Sequence, residues 1–265
     1  MGYVDPDVVA AREAALRSQL EAELQQATKS YAKGELAEAA RLFERLAIDD
    51  PDWIAPRQLL AEIHYRAGRL DECQSQLDWL IEHGVEHPRL SLIAGAVALA
   101  HREFAIAVEA LEYAAYVEPD LPSVHTLLGT VLLRLGRLET AESSFTKAIE
   151  HNPADVNAYD GLSAICIQRG EFEEGANFAL EALEHDIRFF RAHYHLGVAL
   201  AKMNRAPESI AALETAAKVD VNSAAPYNWL SRIAQKQLAD PRLAAEYREK
   251  GRAVIRRRRG RFEQH

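Results

Sequence analysis

The stretch Leu128-Gly129-Thr130-Val131-Leu132-Leu133-Arg134-Leu135-Gly136-Arg137-Leu138, continued by Ala141, Phe145, Ala148 and Pro153, decides the fold. His125, Leu128, Gly129, Leu132 and Leu133 recur at helical spacing and so share one helix face. Gly136 then supplies the left-handed backbone residue that ends a helix without steric cost. A second helix carries Ala141, Phe145 and Ala148 on its apolar face. Pro153 stops it, because proline lacks the amide proton and clashes with the preceding turn. Gly129 and Ala141 are small enough to let the two helices approach closely.

Outward from this stretch the same pattern returns every 34 residues. One slot holds Gln26, Leu60, Ala94, Leu128, Leu162, Leu196 and Leu230. The next holds Ala27, Ala61, Gly95, Gly129, Ser163, Gly197 and Ser231, all small. Twelve residues on come Ala39, Cys73, Ala107, Ala141, Gly175, Ser209 and Leu243, and the ruler needs no insertion. Gly34, Gly68, Gly136 and Gly170 mark the turns inside the units, and Asn204 fills that slot in the sixth. Arg102 and Leu238 depart from it, so those two turns are expected to differ in shape. Asp50-Pro51, Glu118-Pro119 and Asn152-Pro153 mark the loops between units, where Val85, Ile187 and Val221 stand elsewhere.

A period of 34 with paired helices, carried by the residues above, resembles the tetratricopeptide repeat. The resemblance covers residues 20–250 in seven units, starting at Leu20, Ile54, Pro88, Pro122, Val156, Phe190 and Ala224. It implies an all-α, right-handed superhelical solenoid of seven helix-turn-helix units with capping helices. Residues 1–19 read as a lead-in helix, with Asp5 as N-cap and Pro6 in the first turn. Asp240-Pro241 opens a last helix with Leu243, Tyr247 and Val254 on one face, expected to stop at Gly260. Residues 251–265 form its end and an Arg-rich tail.

Composition narrows the function classes. The net charge is −9, yet residues 248–261 carry +7, leaving −16 on the rest. An acidic body repels phosphates and disfavours nucleic acid as the main partner. No apolar run approaches the roughly 18–20 residues that cross a bilayer. The opening Met1-Gly2-Tyr3-Val4-Asp5-Pro6 lacks the features of a signal peptide or a myristoylation site. A cytoplasmic setting is expected. Cys73 and Cys166 lie almost three repeats apart and read as small buried hydrophobes, not a disulfide or a zinc pair.

No catalytic pattern is present: no phosphate-cradling glycine loop, no His-Glu-x-x-His helix, no Gly-x-Ser-x-Gly elbow. No cofactor and no metal are expected. His83 and His87 are separated by Gly84 at a helix end and do not share a face. His193 and His195 are two apart, on different faces of a helix. His125 and His193 fill a slot that often holds a packing aromatic in the resembled family. The reading is a non-catalytic interaction scaffold.

The family resemblance places the inner wall at the second, fifth, sixth, ninth and thirteenth residues of each unit. The third unit offers Arg89, Leu92, Ile93, Ala96 and Ala100, and the fourth Ser123, Thr126, Leu127, Thr130 and Arg134. The fifth offers Asn157, Asp160, Gly161, Ala164 and Gln168. The sixth and seventh offer the candidate binding residues Arg191, Tyr194, His195 and Lys202, with Val198, then Asn228, Trp229, Arg232 and Lys236. Arg191 and His195 stand four apart on one helix, as do Asn228 and Arg232. Arg, Tyr and Trp dominate binding hot spots, so an acidic peptide or a C-terminal carboxylate is the expected partner. The opposing reading has these cations offset neighbouring acids and Trp229 pack against the cap. The Lys and two Asn with which some family members clamp a chaperone's terminal carboxylate are absent at matching slots.

Two alternatives accompany this reading. Arg256-Arg257-Arg258-Arg259, with Arg252 and Arg261, offer an anionic membrane or RNA contact, and the chain could also self-assemble. Arg191-Ala192-His193-Tyr194-His195-Leu196-Gly197-Val198-Ala199-Leu200 and Ala244-Ala245-Glu246-Tyr247-Arg248-Glu249-Lys250 resemble tetratricopeptide tails of some bacterial hydrolases. These hydrolases belong to the alkaline phosphatase and type I phosphodiesterase superfamily. Gly2-Tyr3-Val4-Asp5 is similar to the last residues of such a catalytic domain. That resemblance implies an excised C-terminal module.

Overall fold

A computed structural model describes residues 6–262, with side chains over 18–259. The Asp5 cap and the Gly2–Asp5 resemblance lie outside the described residues, as does the side chain of Arg261. The described residues form fourteen α-helices and no strand. They divide into two compact units, one ending at Leu121 and one beginning at Pro122.

The first unit contains α1 (Pro6–Ala32), α2 (Leu36–Asp49), α3 (Ile54–Arg66), α4 (Leu70–Glu82), α5 (Pro88–Ala100) and α6 (Phe104–Val117). α1 runs without a break through position 20, so lead-in and first repeat share one helix. Its core has two centres. Ala27, Ala39, Phe43, Leu46, Leu60 and Ile63 pack together. Ala61, Cys73, Leu77, Leu80, Ile93 and Val97 follow one repeat on.

The second unit contains α7 (Val124–Arg134), α8 (Leu138–His151), α9 (Val156–Arg169), α10 (Phe172–His185), α11 (Phe190–Lys202), α12 (Ala206–Val219), α13 (Ala225–Lys236) and α14 (Pro241–Phe262). Here Phe145 of α8 is 1% exposed. A Cβ built on Gly129 of α7 would lie 2.8 Å from its ring, and one on Gly161 of α9 only 2.3 Å away. One aromatic side chain therefore fills the space that two glycines leave on two successive repeats. Gly197 receives Leu213 in the same way, at 2.5 Å. Where serine replaces glycine, its hydroxyl donates to the facing helix: Ser163 Oγ reaches the Gly175 carbonyl at 2.7 Å.

The ruler slips once. Ser231 Oγ donates to the Ala244 carbonyl, thirteen residues on, where Ser163 reaches twelve. Ala244, not Leu243, is the fully buried small residue of α14. The cause is the last turn, where Ala239 takes the left-handed conformation (φ 52°) that Leu238 avoids. One extra residue is accommodated there.

Arg102 shows the reverse. Its turn does not differ in shape: φ is 65° against 74° at Gly136. The Glu103 amide reaches the Ala98 carbonyl at 2.8 Å, as Arg137 reaches Leu132 at 2.9 Å. Closing the helix with these bonds outweighs a left-handed penalty of roughly 1–2 kcal/mol.

The proline-free loops at Ile187 and Val221 end their helices at the same register as the loops with proline, whereas α4, before Val85, ends one residue earlier with Gly84 in the left-handed conformation. Asp186 and Asp220 accept at 2.9 Å from the amides of Arg188 and Asn222, two residues ahead. The loop that contains Pro153 makes the same turn, with Asn152 accepting from the Ala154 amide at 3.2 Å. α14 does not stop at Gly260 but reaches Phe262, since one glycine costs a helix only about 1 kcal/mol.

Candidate functional site

All eight nominated residues lie in the second unit: Arg191, Tyr194, His195 and Lys202 on α11, and Asn228, Trp229, Arg232 and Lys236 on α13. Trp229 Nε1 donates to the Tyr194 hydroxyl at 3.2 Å, which ties the two helices. Both rings pack partly buried against a core that includes Leu213, Leu230, Ile233 and Tyr247. Tyr247 of α14 donates to Glu214 at 2.8 Å. Burial, and then Glu214, push its hydroxyl up to about 12. Trp229 is thus carried on a helix against which α14 packs.

The nominated residues separate into two halves. In the first, Asp160 of α9 is 4% exposed. Its carboxylate lies 3.1 Å from Arg191 Nε and accepts from His195 Nδ1 at 2.8 Å. Arg191 also donates to Asn157 Oδ1 at 2.6 Å. Arg191 and His195 are therefore partners of a buried carboxylate, not groups held open for a ligand. Helical spacing shows that the two share a face. It does not show the acid, which stands 35 residues before His195 on the preceding first helix. Several other inner-wall positions are likewise buried rather than lining a surface: Ile93, Ala96, Thr126 and Val198. Thr126 donates to Asp155.

In the second half, Lys202, Arg232 and Lys236 are exposed and make no ion pair among the described residues. Arg232 Cζ stands 5.0 Å and Lys202 Nζ 5.9 Å from the centre of the Trp229 ring. With Lys236, Asn204 and Gln237 they line a cleft of about 250 Å³ that has no carboxylate in its wall. Gln237 donates to the Ala201 carbonyl at 2.7 Å, which fixes the cleft's edge. Asn228 is exposed on α13. A cation over an aromatic face is attracted by the ring quadrupole, so Trp229 holds two cations near each other without neutralising either.

The remaining candidates have structural roles. Burial pushes the thiols of Cys73 and Cys166 up to about 11, which keeps both protonated and weakly nucleophilic. Glu171 and Glu174 stand near Cys166, the thiol buried and both carboxylates exposed. His87 caps α5 by accepting from the Arg89 amide at 3.1 Å. His83 stacks on Trp79 with centroids 3.6 Å apart. His193 donates to the Ile187 carbonyl at 2.8 Å, and His125 stacks on His151. Arg252 and Arg256 to Arg259 are exposed on α14, with Arg256 paired to Glu249 at 2.5 Å. Among the described residues no helix is long and apolar enough to cross a membrane.

Two family models, both described as tetratricopeptide repeat, match residues 30–95 and 126–188. The chain is a tetratricopeptide-repeat protein. Its fold is similar to that of a solved tetratricopeptide repeat protein from Parabacteroides merdae, at 17% identity and TM-score 0.68 over 89% of this chain and 93% of that one. YrrB, a tetratricopeptide repeat protein with an unusual peptide-binding site, superposes at 19% identity and TM-score 0.55, covering 71% of this chain and 97% of its own. These likenesses concern the fold. Among curated proteins, a peroxisomal targeting signal receptor of Candida albicans is 26% identical over 149 residues, 56% of this chain and 24% of the receptor. Tetratricopeptide repeat protein 8 of Caenorhabditis elegans is 24% identical over 54% of this chain and 29% of its own. The chain thus spans 24% and 29% of the length of these two relatives.

Proposed function

We propose that this repeat protein is a non-catalytic interaction scaffold whose α11–α13 face binds an acidic peptide segment or a C-terminal carboxylate. The scaffold reading is supported by the repeat fold and by relatives named as a receptor and as a peptide-binding protein. One observation carries the finer reading: Lys202 and Arg232 flank Trp229 and share a cleft with Lys236 that has no carboxylate in its wall. Unpaired cations beside a half-buried aromatic ring supply both parts of a hot spot, buried area and charged hydrogen bonds. Tyr194, held to Trp229, extends the aromatic surface along α11. Asp160 fixes Arg191 and His195 as the neutralised border of the face.

The test is capture of partners from the native host by the immobilised chain, repeated with Arg232→Ala/Lys236→Ala. Loss of the captured proteins supports the reading. Recovery of the same proteins at the same yield moves binding away from this face, with the exposed arginines of α14 next to be replaced.

A further inference from the structure

The second half of the site carries more positive charge than a single carboxylate neutralises. Resting on the reading of α11–α13 as a peptide-binding face, we infer that its cleft takes a phosphorylated side chain, a phosphoserine or phosphothreonine of the partner. Arg232 and Lys236 stand four residues apart on α13, so they reach from one face of one helix. Lys202 comes from α11, and its ammonium shares the Trp229 ring with the Arg232 guanidinium. The three line one cleft of about 250 Å³, and no acid in its wall competes for them.

A carboxylate brings one negative charge and two acceptor oxygens. It leaves at least one of these cations without a partner while covering it from water. A phosphomonoester brings a charge of about −1.5 to −2 at pH 7 and three acceptor oxygens. It can accept a paired set of bonds from the planar guanidinium and one bond from each ammonium. Asn204, on the cleft's rim in a left-handed turn, adds a neutral amide donor. The first half of the site lacks this capacity, because Asp160 and Asn157 already occupy Arg191 and His195. A peptide side chain is favoured over a free small anion because the cleft continues into the Trp229–Tyr194 surface, on which flanking residues of a peptide can lie.

Fluorescence polarisation with the full chain tests this. The probes are labelled degenerate peptide pools with amidated C-termini and a fixed central serine, glutamate or phosphoserine. A fourth pool has a free C-terminal carboxylate, and inorganic phosphate serves as competitor. The phosphoserine pool is expected to bind roughly tenfold tighter than the glutamate pool. That preference should shrink below pH of about 6, where the phosphate keeps its second proton. Arg232→Gln/Lys236→Gln should abolish the preference while its thermal transition stays in place. Equal binding of the phosphoserine and glutamate pools, or tighter binding of the free-carboxylate pool, overturns the inference and leaves the acidic-peptide reading intact. Inorganic phosphate binding as tightly as the phosphoserine pool overturns it in favour of a small-anion site. Binding by none of the pools overturns the inference and the acidic-peptide reading together.

Discussion

Two halves of one surface in the second unit hold the same kinds of residue in opposite states. Between α9 and α11, Arg191 and His195 close on a buried aspartate. Between α11 and α13, Lys202, Arg232 and Lys236 line a cleft beside an aromatic ring, with no carboxylate in its wall. The first arrangement serves the protein, and the second is available to something outside it. A cation becomes a binding group only when its own fold does not neutralise it. In a repeat array the residue that decides this sits on the neighbouring repeat.

Replacing the acid should give the largest effect. Asp160→Ala leaves Arg191 and His195 without their acceptor and should lower stability by about 2 kcal/mol, the scale of hydrogen bonds to charged groups. The urea midpoint of the variant reports this. Arg232→Ala, in the uncompensated half, should stay within about 0.5 kcal/mol of the parent. A similar midpoint shift in both variants would erase the distinction between the halves.

Ligand affinity should rank the halves in the opposite order. Once a partner peptide is in hand, Arg232→Ala should weaken it by about 2 kcal/mol, a hot-spot loss. Arg191→Ala should change affinity only a few-fold, since its bonds already go to Asp160 and Asn157. Titration calorimetry of the two variants side by side decides the matter.

His64 of α3 sharpens the contrast with a smaller effect. Like His195 it faces inward, but its Nδ1 is buried without a hydrogen-bond partner. Burial, with Arg69 next, holds its pKa below the usual 6.5. As pH falls below 6.5 the unfolded chain takes up this proton first, so stability falls through the folded-state value. His64→Leu should raise stability by about 1 kcal/mol and flatten that part of the pH profile. Denaturant titrations from pH 7 down to pH 5 measure both.

The smallest expected change lies in the backbone. Arg102→Gly should stabilise by about 0.5–1 kcal/mol, the left-handed penalty less glycine's entropy cost. An unchanged melting temperature would mean that the arginine side chain compensates for its strained position.

The fold was open to reading because repetition averages over local exceptions. Seven copies of a small-residue slot identify the helix contact even though Leu243 misleads in the last one. What stayed hidden is what a ruler of fixed length cannot carry. The extra residue at Ala239 shifts the small residue to Ala244, and hydrogen bonding lets Arg102 imitate glycine. The site followed the same division. The types and faces of Arg191, Trp229 and Arg232 were visible along single helices. The pairing of Asp160 with residues one repeat away depends on how neighbouring helices stack, which no single-helix pattern contains. The likeness of 191–200 and 244–250 to hydrolase tails rests on those short stretches alone.

The ring of Phe145 has a practical meaning for anyone who would cut this chain into shorter pieces. It is held between Gly129 before it and Gly161 after it. A fragment ending between α8 and α9 would turn one side of that ring to water and leave an empty notch on the piece removed. The apparent repeat boundary at residues 152–155 is therefore a poor cut point. A fragment that keeps this ring covered on both sides carries both α7 and α9.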